Sequence, residues 1–489
     1  MKLKNILNGI DFDCICGDLD IKIKDIVYNS KKEVEGSIFV CLEGINFNSH
    51  DFINEAVQKG AVAVVVSREI KIEGVTVILV KNTRETLAYM SVNFFKRPSN
   101  ELKTIAITGT KGKTTVSFMI KNILECCGLK VGLIGTIGLL IGDKIIKTKN
   151  TTPESYEVQK YLRLMVQEGC EYAIIEASSL GLGNHRLDGI KFNCGAFTNF
   201  SRDHISVNEH KNMEEYLSCK GILFKICERG VVNNDDKNYE KLLRGHTCSI
   251  KTYGLNKADF IAENLQLIKN FCSLGIKFDL VGTNNYTVCV NIPGKFTVYN
   301  ALCAIAVCEN FGIDKQYILE GLSSIKVKGR AEIIPVSLDF TLIIDYAHNA
   351  DSMKHILNTL KEYSPKRLVI LFGAGGDRPK SRRYEVGEAA GKIADLCVLT
   401  EDNSRFEEPI EIISDIEIGL KKTSCKYVVI PKRKDAIEYC LSEARKGDMI
   451  ILAGKGHEDY IEIKGEKIPF DERSAIDEIV RRKKWKKYM

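Results

Sequence analysis

Thr104-Ile-Ala-Ile-Thr-Gly-Thr-Lys-Gly-Lys-Thr-Thr115 is the stretch on which the fold of this chain turns. Its first five residues are apolar or β-branched, as in a buried strand. Glycines at 109 and 112 then mark a tight turn, and Val116, Met119, Ile120, Ile123 and Leu124 follow at helical spacing. A strand, a glycine turn and a helix start in that order cradle phosphate. The turn amides point inward, the helix N-terminus adds positive potential, Lys113 reaches the β/γ-phosphates and Thr114 can hold magnesium. The commonest phosphate loop carries an earlier glycine where this chain has Ile107, so the turn is a shorter variant. Gly109, Thr110, Lys111, Gly112, Lys113, Thr114 and Thr115 are the predicted ATP-binding residues.

Outward from this loop, Ile- and Val-rich segments alternate with amphipathic ones, which predicts an α/β fold with largely parallel sheets. Phe95-Lys-Arg-Pro-Ser-Asn100 and Ser323-Ser-Ile-Lys-Val-Lys-Gly-Arg330 read as linkers. Three domains follow, at about 1–100, 101–328 and 329–489. The formal charge of +6 reflects the tail Arg481-Arg-Lys-Lys-Trp-Lys-Lys-Tyr-Met489, the solvated end of a helix that starts near Ala475. The rest is balanced, which argues against a nucleic-acid partner. No apolar segment is long enough for a signal peptide or a membrane span, so the expected location is cytoplasmic. The 17 cysteines are scattered and lack zinc-site spacing.

Tyr172-Ala-Ile-Ile-Glu176 is a short apolar strand ending in a carboxylate, where a parallel-sheet nucleotide site presents a metal ligand. Around it, Asn150-Thr-Thr-Pro153, Glu176-Ala-Ser-Ser-Leu-Gly-Leu182, His185-Arg186, Thr198-Asn-Phe-Ser-Arg-Asp-His204 and Tyr216-Leu-Ser-Cys-Lys220 resemble the central domain of the Mur ligases in order and spacing. Gly294-Lys-Phe296, Tyr299-Asn300, Gly329-Arg330, Asp345-Tyr-Ala-His348, Asp402-Asn-Ser-Arg405 and Ala453-Gly-Lys-Gly-His-Glu-Asp-Tyr460 continue the likeness over nearly the whole chain. Asn29-Ser30 with the segment 36–44 resembles that family's UDP-sugar domain.

The resemblance implies a UDP-binding N-terminal α/β domain, a central P-loop ATPase-like domain and a C-terminal Rossmann-like α/β domain. It is strongest to the branch that adds the third amino acid of the peptidoglycan stem peptide. The implied reaction joins meso-2,6-diaminopimelate to UDP-MurNAc-L-Ala-D-Glu through an acyl phosphate, with ATP giving ADP and phosphate. Two anions meet in the first step, so cations must be placed beforehand. By resemblance, magnesium lies at Thr114, Glu176, His204 and Lys220. An ammonium cannot ligate a cation, and the resemblance implies that Lys220 is carbamylated by carbon dioxide, which gives it a carboxylate. Lys113, Glu176, His204, Lys220 and His348 form the implied catalytic set. Asn300, Arg330 and Asp345 reach the nucleotide, and Ser30, Asn150, Thr151, Thr152, Ser178, Asn184 and Arg186 take the UDP substrate. His210 stays unassigned, because two extra residues precede Met213 relative to the family pattern.

Asp402-Asn-Ser-Arg405 stands where diaminopimelate-using members carry D-N-P-R, with Ser404 replacing the proline. An arginine pairs bidentately with a carboxylate, and diaminopimelate has a second carboxylate that lysine lacks. Arg405 is therefore the expected selector, with Arg378, Asp402, Asn403, Gly454 and Glu458 around the same amino acid. The alternative for Arg405 is a surface pair with Glu407 or Glu408. Other readings are the same ligase using L-lysine or another diamino acid, and a folylpolyglutamate synthase-like ligase. A monomer is expected.

Overall fold

The strand predicted from Thr104 runs over Lys103–Thr108 and has parallel neighbours on both sides, Tyr172–Glu176 and Phe192–Phe197. Ile105, Ala106 and Ile107 are fully buried, which explains the unbroken apolar run. This computed structural model describes residues 1–32, 34–44, 48–202, 209–270 and 273–483. It divides into two units, Met1–Ile261 with Leu302–Gly321, and Ala262–Ala301 with Leu322–Met489.

In the first unit the central sheet runs Ser249–Gly254, Cys227–Asn233, Phe192–Phe197, Lys103–Thr108, Tyr172–Glu176, Val131–Gly135, Gly138–Ile141 and Lys144–Ile146. All are parallel up to Val131–Gly135, and the last two are antiparallel. The helix Lys113–Cys126 buries Val116, Met119, Ile120, Ile123 and Leu124, the five residues whose spacing predicts it. The phosphate loop thus leaves the carboxyl end of a central strand, where open α/β sheets bind ligands.

The same unit carries a five-stranded N-terminal sheet with a core on each face. It is fastened to the central helix Ser155–Gln167, since the Tyr156 hydroxyl donates to Asp25 at 2.6 Å and the Tyr28 hydroxyl donates to Glu157 at 2.5 Å. Phe95–Asn100 is more constrained than a loose linker. Arg163 on that helix donates to the Phe95 and Lys96 carbonyls, both at 3.0 Å, and to Glu101 at 2.8 Å.

The second unit holds a six-stranded sheet in the order Glu332–Ile334, Thr341–Asp345, Asp448–Ala453, Arg367–Phe372, Leu396–Leu399 and Lys426–Val429. Only its first strand is antiparallel, and helices cover both faces. The α/β architecture, with parallel sheets at the centre of both units, agrees with the expected fold class. The C-terminal helix spans Glu472–Arg482, and the end of the basic tail lies outside the described residues.

Candidate active site

The phosphate loop needs its glycines. Gly109 has φ +147°, and a Cβ there would stand 1.9 Å from Thr198 Oγ1. Gly112, at φ +88°, caps the following helix in the left-handed region. Residues after Phe192–Phe197 hold the loop: Thr198 Oγ1 donates to the Lys111 carbonyl at 2.6 Å, and Asn199 Oδ1 accepts the Lys111 amide at 3.0 Å. Lys113 Nζ donates to the Gly109 and Thr110 carbonyls at 2.8 and 3.2 Å, so its ammonium lies along the loop. Thr115 is half-buried in the first helical turn.

Glu176 is fully buried at the end of its strand. Its Oε2 accepts from Thr114 Oγ1 at 3.0 Å and Thr136 Oγ1 at 2.9 Å, and Oε1 accepts the Thr136 amide at 3.3 Å. Gly135 makes room, since a Cβ there would come within 2.2 Å of Oε1. Burial pushes the Glu176 carboxyl above its ordinary value, while Lys113 and the threonines oppose the rise. A buried carboxylate beside a threonine hydroxyl at a phosphate loop is a hard-oxygen donor pair that fits magnesium, an ion that retains water and phosphate ligands. Among the described residues no cluster of three His, Cys, Asp or Glu offers a metal cage.

Glu176→Gln is expected to abolish turnover yet raise the Tm at neutral pH. Folded Glu176 ionises above 4.5, its ordinary value, so the unfolded chain releases the proton first as pH rises. Wild-type stability therefore falls from about pH 4.5 until the raised folded value is passed, and the glutamine variant escapes this loss. Thermal melts of both proteins from acid to neutral pH check it; a lower Tm for the variant at neutral pH would refute the burial argument.

Lys220 is 1% exposed on the helix Met213–Gly221. Its Nζ donates to the Gly109 carbonyl at 3.0 Å and lies 4.3 Å from the Tyr216 ring centre. Tyr216 donates to Thr110 Oγ1 at 3.2 Å, so both side chains brace the loop. His210 is buried, with Nε2 2.8 Å from Ser179 Oγ and its ring 5.0 Å from that of Tyr216. His204 lies outside the described residues.

Four of the expected UDP-substrate residues gather beside Glu176. Thr152 Oγ1 donates to the Glu176 carbonyl at 2.7 Å and accepts the Ser178 amide at 2.9 Å. Arg186 donates to the Thr152 carbonyl at 3.0 Å and pairs with Glu154 at 2.9 Å. Thr151 Oγ1 is 3.2 Å from Thr136 Oγ1. Asn184 is half-buried at the end of the helix Ser179–Gly183, and Asn150 is exposed. Ser30 lies in the turn after the strand Ile26–Val27 of the N-terminal sheet, and its carbonyl accepts from Lys59 at 2.7 Å. Near it a cavity of about 520 Å³ opens between Asp25–Val27 with Lys32 and the helical residues Tyr156, Glu157 and Lys160.

In the second unit, Asp345 ends its strand nearly buried and accepts the Ala331 and Ala347 amides at 2.7 and 2.8 Å. Burial raises its carboxyl and Arg330 opposes the rise. The Arg330 guanidinium sits 5.0 Å from the Tyr346 ring centre, His348 is exposed, and Asn300 is half-buried on the helix Phe296–Asn310. A pocket of about 190 Å³ brings together Arg378, Asp402, Asn403, Arg405, Gly454 and Glu458, all six expected amino-acid contacts. Arg405 does not pair with Glu407 or Glu408. Its Nε is 3.3 Å from Glu462 Oε2 and its Nη1 donates to the Gly376 carbonyl at 2.7 Å, while Glu407 pairs with the buried Arg383. Sequence reasoning missed Thr136, Thr198, Asn199, Tyr216 and Lys455. All but Thr136 stand inside quoted motifs, yet none was assigned a role there.

Comparison with known proteins accords with this geometry. Residues 107–308 match the Mur ligase middle domain and residues 329–456 the Mur ligase glutamate ligase domain. The UDP-N-acetylmuramoyl-L-alanyl-D-glutamate–2,6-diaminopimelate ligase of Caldanaerobacter subterraneus subsp. tengcongensis is 44% identical over 483 residues, 98% of this chain and 99% of that protein. The chain belongs to the Mur ligase family. A second relative, diaminopimelate ligase 1 of Clostridium acetobutylicum, is also 44% identical, over 98% of this chain and 99% of its own. Among solved structures, a diaminopimelate ligase superposes with a TM-score of 0.72 at 28% identity, covering 99% of both chains. As a Mur ligase, the protein forms an amide bond at the expense of ATP. Among the described residues no helix is long and apolar enough to cross a membrane.

Proposed function

We propose that this ligase adds meso-2,6-diaminopimelate to UDP-MurNAc-L-Ala-D-Glu, as a cytoplasmic monomer with domains near 1–100, 101–328 and 329–489. The observation that carries the choice of amino acid is Arg405 on the wall of the same pocket as Arg378 and Glu458, in a chain 44% identical to named diaminopimelate ligases. The pocket presents cations for two carboxylates and a carboxylate for an ammonium.

In this reading the D-Glu carboxylate attacks the γ-phosphate, ADP leaves, and the amine then displaces phosphate from the acyl phosphate. Lys113 and the loop amides hold the β/γ-phosphates against charge repulsion, and Thr152, Ser178 and Arg186 orient the peptide substrate beside them. Thr114, Glu176, His204 and a carbamylated Lys220 would hold magnesium, which when bound supplies charge neutralisation between the phosphate and the carboxylate. Asp345, Arg330, Asn300 and His348 serve the nucleotide from the C-terminal domain.

ADP release with UDP-MurNAc-L-Ala-D-Glu, supplied in turn with meso-diaminopimelate, L-lysine and L-ornithine, tests the assignment. Release confined to L-lysine would overturn it. For Lys220, alanine should remove activity, and short carboxylic acids should restore part of it by filling the ligand position. A fully active Lys220→Ala enzyme would take the carbamate out of the mechanism.

A further inference from the structure

Lys455 is 0% exposed and lies behind the wall of the amino-acid pocket rather than on it. Its Nζ donates to Asn403 Oδ1 and to Glu458 Oε2, both at 2.8 Å, and stands 3.7 Å from Asp402 Oδ1. Three residues that do line the pocket therefore converge on one buried ammonium. An ammonium removed from water is costly unless paired and hydrogen-bonded, so this position needs a reason.

The hydrogen bonds supply one. Asn403 Oδ1 also accepts the Glu462 amide at 2.9 Å, which fixes the side-chain amide and aims Nδ2 at Glu458 Oε2, 3.0 Å away. Glu458 Oε2 is thus held by Lys455 and Asn403 together. Its other oxygen, Oε1, meets only the longer contact of 3.4 Å from the Tyr346 hydroxyl among these partners. Asp402 and Glu458 are two carboxylates at one site. Without a cation between them, repulsion favours turning one of them away.

We propose that Lys455 is a positioning residue for amino-acid selection. It fixes Asn403 and holds Glu458 so that its Oε1 edge receives an ammonium of the incoming amino acid. This inference rests on the reading of the pocket as the amino-acid site, and nothing in it depends on which diamino acid is used, since each carries a second ammonium besides the reacting amine.

The test uses the full-length enzyme and ADP release. Lys455→Met keeps the volume and removes the charge. The KM for meso-diaminopimelate should rise on the order of ten- to a hundredfold, with the KM values for ATP and UDP-MurNAc-L-Ala-D-Glu within about twofold of wild type. In a Glu458→Gln background the same substitution should cost much less, because the two residues act as one unit. A lysine that merely supports the fold would instead lower the Tm and kcat and leave the diaminopimelate KM unchanged; that result, or full additivity with Glu458→Gln, overturns the proposal. If Lys455→Met shows no folded thermal transition, Lys455→Gln and Lys455→Arg are compared. A KM raised by glutamine and spared by arginine supports the proposal, and equal KM values refute it. Should wild type use L-lysine, the substrate assignment falls while the same comparison run with L-lysine still decides the role of Lys455.

Discussion

Replacing Lys113 by alanine is expected to lower ADP release by about 10²–10³-fold or more, the scale seen when one preorganised charge is removed from a transition state. Its ammonium already lies along the loop, held by the Gly109 and Thr110 carbonyls, and phosphate oxygens would take it over as acceptors. The same cation opposes the rise of the Glu176 carboxyl, so its loss leaves a fully buried carboxylate with less compensation. Affinity for the UDP substrate should stay near wild type. Ser30 lies in a turn beside the N-terminal sheet, and Thr152, Ser178 and Arg186 are braced by one another, by Glu154 and by the Glu176 backbone. Calorimetric titration with UDP-MurNAc-L-Ala-D-Glu in the absence of ATP separates the two effects. Comparable loss of both would show that the phosphate loop also shapes the sugar-nucleotide site.

What could be read from the sequence is what is local. The strand, glycine turn and helix from Lys103 to Cys126 lie within one continuous segment, and each residue's role follows from its neighbours. Thr136 could not be found in this way. It reaches Glu176 because the strand Val131–Gly135 pairs with Tyr172–Glu176 in one register, and a slip of one residue would turn it away. Thr198 and Asn199 depend likewise on the pairing of Phe192–Phe197 with Lys103–Thr108. For Arg405 the sequence left an alternative that its fold partners exclude. Nearby Glu407 and Glu408 look like natural partners in sequence, but Glu407 is claimed by the buried Arg383, and Arg405 finds Glu462 on a hairpin strand 57 residues away. The presence of Lys455 in Gly454-Lys-Gly-His-Glu458 was visible, whereas its burial beneath three pocket residues was not.

Arg405→Ala should raise the KM for diaminopimelate strongly and change ATP affinity little. The bonds to Glu462 and the Gly376 carbonyl use Nε and Nη1, two positions of a five-donor guanidinium, and hold the group at the pocket wall. Both partners of the Glu462 pair are about a quarter exposed, so the pair itself adds little stability and acts mainly as an aiming device. Its backbone sits at φ +52°, a left-handed conformation that costs a non-glycine residue about 1–2 kcal/mol. Alanine keeps that cost, so Arg405→Gly is the control: it should be the more stable of the two variants and equally poor in diaminopimelate binding. Leaving the distal carboxylate unpaired should cost on the order of 2–5 kcal/mol, or tens- to thousands-fold in KM. L-Lysine carries no such carboxylate, and removing the arginine relieves repulsion on its side-chain ammonium, so discrimination should narrow without creating an efficient lysine ligase. If either variant keeps the wild-type KM for diaminopimelate, Arg405 is not the selector. The contact would then fall to Arg378, which lines the same pocket, and Arg378→Ala should show the loss instead.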